Sequence, residues 1–193
     1  MNELRAFVAL PLPDALRTPL AGLQRELAEH LPEIRWVRPE ALHLTLAFLG
    51  RVSEDSLEQL GRSMLSIGGL FSPVTATFTR LGAFPDPDRP RVLWLGVDGG
   101  DRLTELHEAV ALRLRKLRMP VEQRSFMPHL TLGRCRRPLA AAGRVPAVGK
   151  KHLRGSIRFD RLVLYESRLA ARGAHHLPRQ IVPLQGPCPE SGL

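Results

Sequence analysis

The tetrapeptide His43-Leu44-Thr45-Leu46 recurs unchanged as His129-Leu130-Thr131-Leu132, 86 residues further along the chain. With seven His, seven Thr and 34 Leu in 193 residues, two chance copies are expected in only a few chains in about 10⁵. In an extended strand, alternate side chains point to opposite faces. Each copy would then anchor two Leu in a core and leave an imidazole and a hydroxyl on the other face, about 6.6 Å apart. Two such strands flanking a cleft would offer one ligand two imidazoles and two hydroxyls. Histidine titrates near neutral pH, so a pair can divide the labour, one neutral as base and one protonated as acid.

The hydrophobic pattern around the motifs mixes strands and helices. Residues 4–10, carrying Phe7 and Val8, alternate as a strand. Leu16, Leu20, Leu23 and Leu27 mark one helix face, with Pro19 in its first turn. Residues 34–37 and 41–49 read as strands separated by Arg38-Pro39-Glu40. Ser53 is the N-cap of a helix burying Leu57, Leu60 and Met64. Residues 73–80 alternate as a half-buried strand, 82–90 read as a loop, and 91–97 as a strand. A helix with one charged face spans 101–118, and strands follow near 129–135, 156–166 and 174–184. Helices interspersed with adjacent strand pairs predict a mixed antiparallel α+β fold. Residues 1–185 read as one domain and 186–193 as a disordered tail.

Composition narrows the function classes. Hydrophobic residues make up 44%, enough for a core, which excludes a disordered or disulfide-framed chain. Cys135 and Cys188 read as free thiols. No apolar run suffices for a spanning helix and the N-terminus does not read as a signal peptide, so a cytoplasmic protein without membrane contact is expected. The net charge of +9 suits an anionic partner. Arg and Lys cluster at 113–118, 134–137 and 150–154, each equally consistent with a solvated face or a phosphate-binding patch. Two imidazoles fall short of the three protein ligands a catalytic zinc takes, and their neighbours are Thr and Arg, so no metal and no other cofactor is expected. His30, His107, His152, His175 and His176 show no partner at a catalytic spacing and read as structural.

The paired motifs resemble those of the two-histidine (2H) phosphoesterases. The flanking segments are similar to the branch of RNA 2′,3′-cyclic phosphodiesterases, also called LigT-like or ThpR-like 2′-5′ RNA ligases. They include Arg5–Leu10 with Leu12-Pro13, Trp36-Val37 with Pro39-Glu40, and Phe48-Leu49-Gly50. The likeness continues through Gly82–Pro85, Val92–Gly96, Pro128–Leu132 with Arg134, and Leu162–Ser167 with Gly173. The resemblance implies a two-lobed, pseudo-twofold α+β fold of antiparallel sheets, with helices outside and a central cleft fed by one motif strand from each lobe.

The implied reaction opens the 2′,3′-cyclic phosphate of an RNA end to a 2′-phosphomonoester without metal, in some members alongside a reversible 2′-5′ ligation. By the family's assignment His43 is the proton donor and His129 the proton acceptor; the residues by themselves leave that order symmetric. Thr45 and Thr131 would donate to the non-bridging oxygens. Arg134 would bind phosphate, although strict alternation puts it on the opposite face from His129. Phe7 is a candidate to stack on a base. The expected partner is RNA with a cyclic phosphate end, and the expected state a monomer. The alternatives are a phosphodiesterase of a small cyclic nucleotide or a 2′-5′ oligonucleotide, and a non-catalytic RNA-binding module using the Arg-rich surface.

Overall fold

The computed structural model describes residues 3–137, 155–170 and 173–187. In chain order these form β1 (Glu3–Pro11), α1 (Arg17–His30), β2 (Arg35–Trp36), β3 (His43–Ser53), α2 (Glu54–Leu70), β4 (Val74–Phe84) and β5 (Val92–Asp98). They continue with α3 (Gly100–Lys116), β6 (His129–Arg134), β7 (Ser156–Phe159), β8 (Arg161–Ala170) and β9 (Gly173–Pro183). One antiparallel nine-stranded sheet runs β7-β4-β5-β6-β3-β1-β8-β9, with β2 also paired to β6.

This order is symmetric about the β6–β3 seam, with four strands on each side. In both halves a strand leads through a helix to an antiparallel neighbour: β1–α1–β3 and β5–α3–β6. The second strand of each unit is a motif strand, and its first residue is the motif histidine. The fold is therefore α+β with pseudo-twofold symmetry, as expected.

Helix faces and strand faces meet in one core. Leu20, Leu23 and Leu27 of α1, Leu57, Leu60 and Met64 of α2, and Leu103, Leu106, Val110 and Leu114 of α3 pack with Leu44, Leu46, Leu130 and Leu132. Burying each such side chain contributes about 1.5–3 kcal/mol before entropy is counted. Ser53 caps α2 by accepting from Ser56 N at 3.2 Å, and α1 accommodates Pro19 in its first turn, where amides lack helical partners anyway.

Several boundaries differ from the pattern reading. A short 3-10 turn at Pro39–Ala41 precedes β3, which starts at His43 and continues to Ser53. Strand β4 runs through Gly82–Phe84, read above as loop, because these residues pair with Trp94, Leu93 and Val92 of β5. Gly82 permits this, since a Cβ there would overlap the Trp94 ring. The stretch 156–166 is two strands broken at Asp160, whose carbonyl accepts from Leu184 N. Gly186 donates to the Phe71 carbonyl. Residues 188–193 of the expected tail, the cluster at 150–154 and His152 lie outside the described residues.

Candidate active site

The site begins with strand register. Leu44 pairs with Leu130 across the seam, which sets His43 opposite Thr131 and Thr45 opposite His129. The two imidazoles thus take one diagonal of a four-residue patch and the two hydroxyls the other. Cross-strand neighbours of this kind lie about 4.5–5.5 Å apart at Cβ and diagonal ones about 7–8 Å. In both motifs the His and Thr are half-buried while the Leu are buried, so the motif strands hold their chemistry on one face.

Each ring is held the same way. His43 Nδ1 lies 2.7 Å from the Ala41 carbonyl oxygen and His129 Nδ1 lies 2.6 Å from that of Met127. A carbonyl only accepts, so both Nδ1 atoms carry the proton, and Nε2 is the free position on each ring. Burial pushes the His43 pKa down to about 4 against the support of the Ala41 carbonyl, with His176, Arg134 and His129 adding to the depression. Burial likewise lowers His129 despite the Met127 carbonyl, and Arg134 lowers it further. Both imidazoles are therefore neutral in the free protein at pH 7.

Both rings are flanked by aromatic side chains from the neighbouring strand of their own half. Phe7 of β1 stacks on His43 with centroids 4.8 Å apart. Trp94 of β5 lies 6.0 Å from His129, and Phe84 meets it edge-on at 5.4 Å. Phe7 is 4% exposed, and Tyr165 stacks on it at 5.2 Å. Its ring is thereby occupied by protein, whereas Phe48 stands 56% exposed.

A cleft of about 610 Å³ opens over this face. His43, Thr45, Thr131, Arg134, Phe7 and Phe48 line it, with His129 standing next to its wall across from Thr45. Arg5, Arg35, Arg38 and Arg136 also line it, and among the described residues no carboxylate does. Arg134 reaches the cleft because β6 has a bulge. Trp94 pairs with Thr131 and Leu93 with Gly133, so Leu132 is skipped and the alternation reverses beyond it. The same happens in β3, where Val8 pairs with Ala47 and Ala9 with Thr45, skipping Leu46 and turning Phe48 into the cleft.

The carbonyl of each skipped residue is taken up by a helix of the opposite half. His107 Nδ1 of α3 donates to Leu46 O at 2.9 Å. Gln24 Nε2 of α1 donates to Leu132 O at 3.0 Å and to Val37 O at 2.7 Å. His107 also stacks at 4.0 Å on Phe126, just ahead of the second motif. The pattern reading gave no site role to Gln24, Trp94, Tyr165 and His176, whereas His107, read as structural, serves as a brace. Of these, His176 enters the cleft wall from β9. Among the described residues no three His, Cys, Asp or Glu side chains gather as a metal-ligand set, and no helix is long and apolar enough to cross a membrane.

Comparison with known proteins agrees with this geometry. The family model LigT like Phosphoesterase matches residues 10–94 and again 95–175, with one His-Leu-Thr-Leu motif in each match. The RNA 2′,3′-cyclic phosphodiesterase of Archaeoglobus fulgidus is 37% identical over 134 residues, 69% of this chain and 74% of its own. That of Methanothermobacter thermautotrophicus is 30% identical over 173 residues, covering 89% and 94%. The crystal structure of E. coli LigT complexed with 3′-AMP superposes with a TM-score of 0.76 at 28% identity, covering 95% of this chain and 99% of that one.

Proposed function

The chain belongs to the LigT-like phosphoesterase family, and from that premise we propose that it opens 2′,3′-cyclic phosphate ends of RNA to 2′-phosphomonoesters, without metal, by paired imidazole catalysis. It is a cyclic phosphodiesterase, and its substrate is RNA or a nucleotide. The observation that carries the mechanism is the matched pair of Nδ1 tethers, which leave two Nε2 atoms free on the diagonal of one patch.

In this mechanism His129 Nε2 takes a proton from water as its oxygen attacks phosphorus. The bond from phosphorus to the 3′-oxygen breaks, and His43 Nε2 delivers a proton to that oxygen. The 2′-ester survives, so the products are a 2′-phosphate and a 3′-hydroxyl. Thr45 and Thr131 hydroxyls and the Arg134 guanidinium stabilise the non-bridging oxygens, where charge builds as the pentacoordinate state forms. Acid and base each contribute on the order of 10²–10⁴-fold.

The donor role requires a charged His43, whereas burial holds its pKa near 4 in the free protein. The incoming phosphodiester supplies the missing negative charge, so His43 takes up its proton together with substrate. With a 5′-hydroxyl in place of water, the same groups would form a 2′-5′ linkage. The exposed Phe48 ring offers a nucleobase a surface, and Phe7 acts through His43. The reading is tested by incubating an oligoribonucleotide with a 2′,3′-cyclic end in EDTA and resolving the products. A 2′-phosphate supports it, and a 3′-phosphate or an absolute metal requirement contradicts it.

A further inference from the structure

Beyond the two motif histidines, the cleft wall holds a third imidazole. His176 sits on β9, paired with Ser167 of β8, and joins His43 from the far side of Phe7. Its ring meets His43 at 5.3 Å and 86°, and Phe7 at 4.9 Å and 83°. His43 is thus contacted by Phe7 stacked at 27° and by His176 at a right angle, while its Nδ1 is tied to Ala41. We propose that His176 is a positioning residue for His43: with Phe7 it fixes the plane of the catalytic ring, so that Nε2 stays aimed at the leaving oxygen. The role is defined relative to the reading of His43 as the acid given above.

The nitrogen pattern of His176 fits a packing role. Its Nδ1 is buried with no hydrogen-bond partner among the described residues. A buried N–H without an acceptor costs more than an unpaired lone pair, so the ring carries its proton on Nε2. Taking a second proton would place an unpartnered N–H at the buried Nδ1, and burial, His175 and Arg38 all oppose it. The ring therefore stays neutral and serves as a wall.

Proximity adds a measurable electrostatic signature. Among the described residues, the groups packed near His43 are His176 from β9, Tyr165 from β8, and His129 and Arg134 from β6, with Arg5, Arg35, Arg38 and Arg136 lining the same cleft. Removing His176 relieves part of the burial that holds the His43 pKa down. The His43 pKa must rise when His176 is deleted.

The test compares His176→Ala with His176→Phe, which keeps a ring but no nitrogen, after circular dichroism confirms folding. In His176→Ala, kcat falls about tenfold with KM within about twofold, as expected when a catalytic group loses its alignment. In the same variant the His43 titration, followed by NMR of the ring protons, moves up by about one pH unit. His176→Phe recovers most of the lost kcat. A wild-type kcat and an unmoved His43 titration in His176→Ala overturn the proposal, as does a Phe variant as impaired as the Ala variant. The NMR titration needs no substrate, so a wrong choice of substrate leaves that readout intact and is told apart from failure of the proposal.

Discussion

Leu46 and Leu132, the fourth residues of the two motifs, are each skipped in the ladder to the neighbouring strand of their own half. A bulge at the same place in both copies reverses the alternation just after the motif His and Thr. It carries Phe48 on one strand and Arg134 on the other into the cleft. Each freed carbonyl is then claimed from across the seam, Leu46 by His107 of α3 and Leu132 by Gln24 of α1. The two halves brace each other's motif.

That cross-bracing predicts a stability cost away from the chemistry. Gln24→Leu orphans the Val37 carbonyl and weakens the hold on Leu132, and His107→Leu orphans Leu46. Each should lower stability by about 1–3 kcal/mol, the usual cost of an unsatisfied buried polar group, read as a lower denaturant midpoint. His107→Gln, whose amide can still donate, should lose less than His107→Leu.

The Thr45 and Thr131 hydroxyls lie on the cleft face rather than in the core. Thr45→Val and Thr131→Val keep shape and β propensity but remove the donors. Each should cut kcat by about 10²-fold, the scale of losing one oxyanion donor, with little change in the thermal midpoint. A loss confined to KM would place the hydroxyls in ground-state binding instead.

Acid should destabilise the fold through His43. Its pKa is about 4 when folded against the ordinary imidazole value of 6.5, so between those values the unfolded chain binds more protons and stability rises with pH. Its contribution is complete above pH 6.5 and is lost as pH falls to 4, by about 3 kcal/mol. His43→Ala should show a shallower drop than wild type across this window, measured by urea unfolding at a series of pH values.

Activity should also respond to pH in a defined way. The free enzyme must hold one proton between two imidazoles whose pKa values are both depressed. kcat/KM should therefore peak below pH 6.5 and fall about tenfold per unit on the alkaline side. The maximum of kcat should lie at higher pH, because bound phosphodiester raises the donor's pKa. Coincident maxima would argue against proton uptake with substrate.

The repeated motif made the site's centre legible before any coordinates, because strand period alone separates His and Thr from Leu. The Ser53 cap and the core faces of α2 and α3 were legible for similar local reasons. Arg134 was named only through the family resemblance, since a simple period-two reading places it on the opposite face and only pairing with β5 reveals the skipped Leu132. His176 escaped because its partner His43 lies 133 positions earlier in the chain; their meeting depends on β1 and β8 lying between β3 and β9. Gly82–Phe84 looked like loop from its Gly and the Pro that follows, whereas ladder bonds to β5 outweigh that local preference.

The central claim is that His43 and His129 carry the chemistry as an acid–base pair. Single-turnover cleavage of an oligoribonucleotide bearing a 2′,3′-cyclic phosphate, with wild type, His43→Ala and His129→Ala in EDTA, tests it most directly. The prediction is a 2′-phosphate product from wild type and a loss of at least about 10²-fold in each folded variant. A variant that keeps wild-type turnover would contradict the claim.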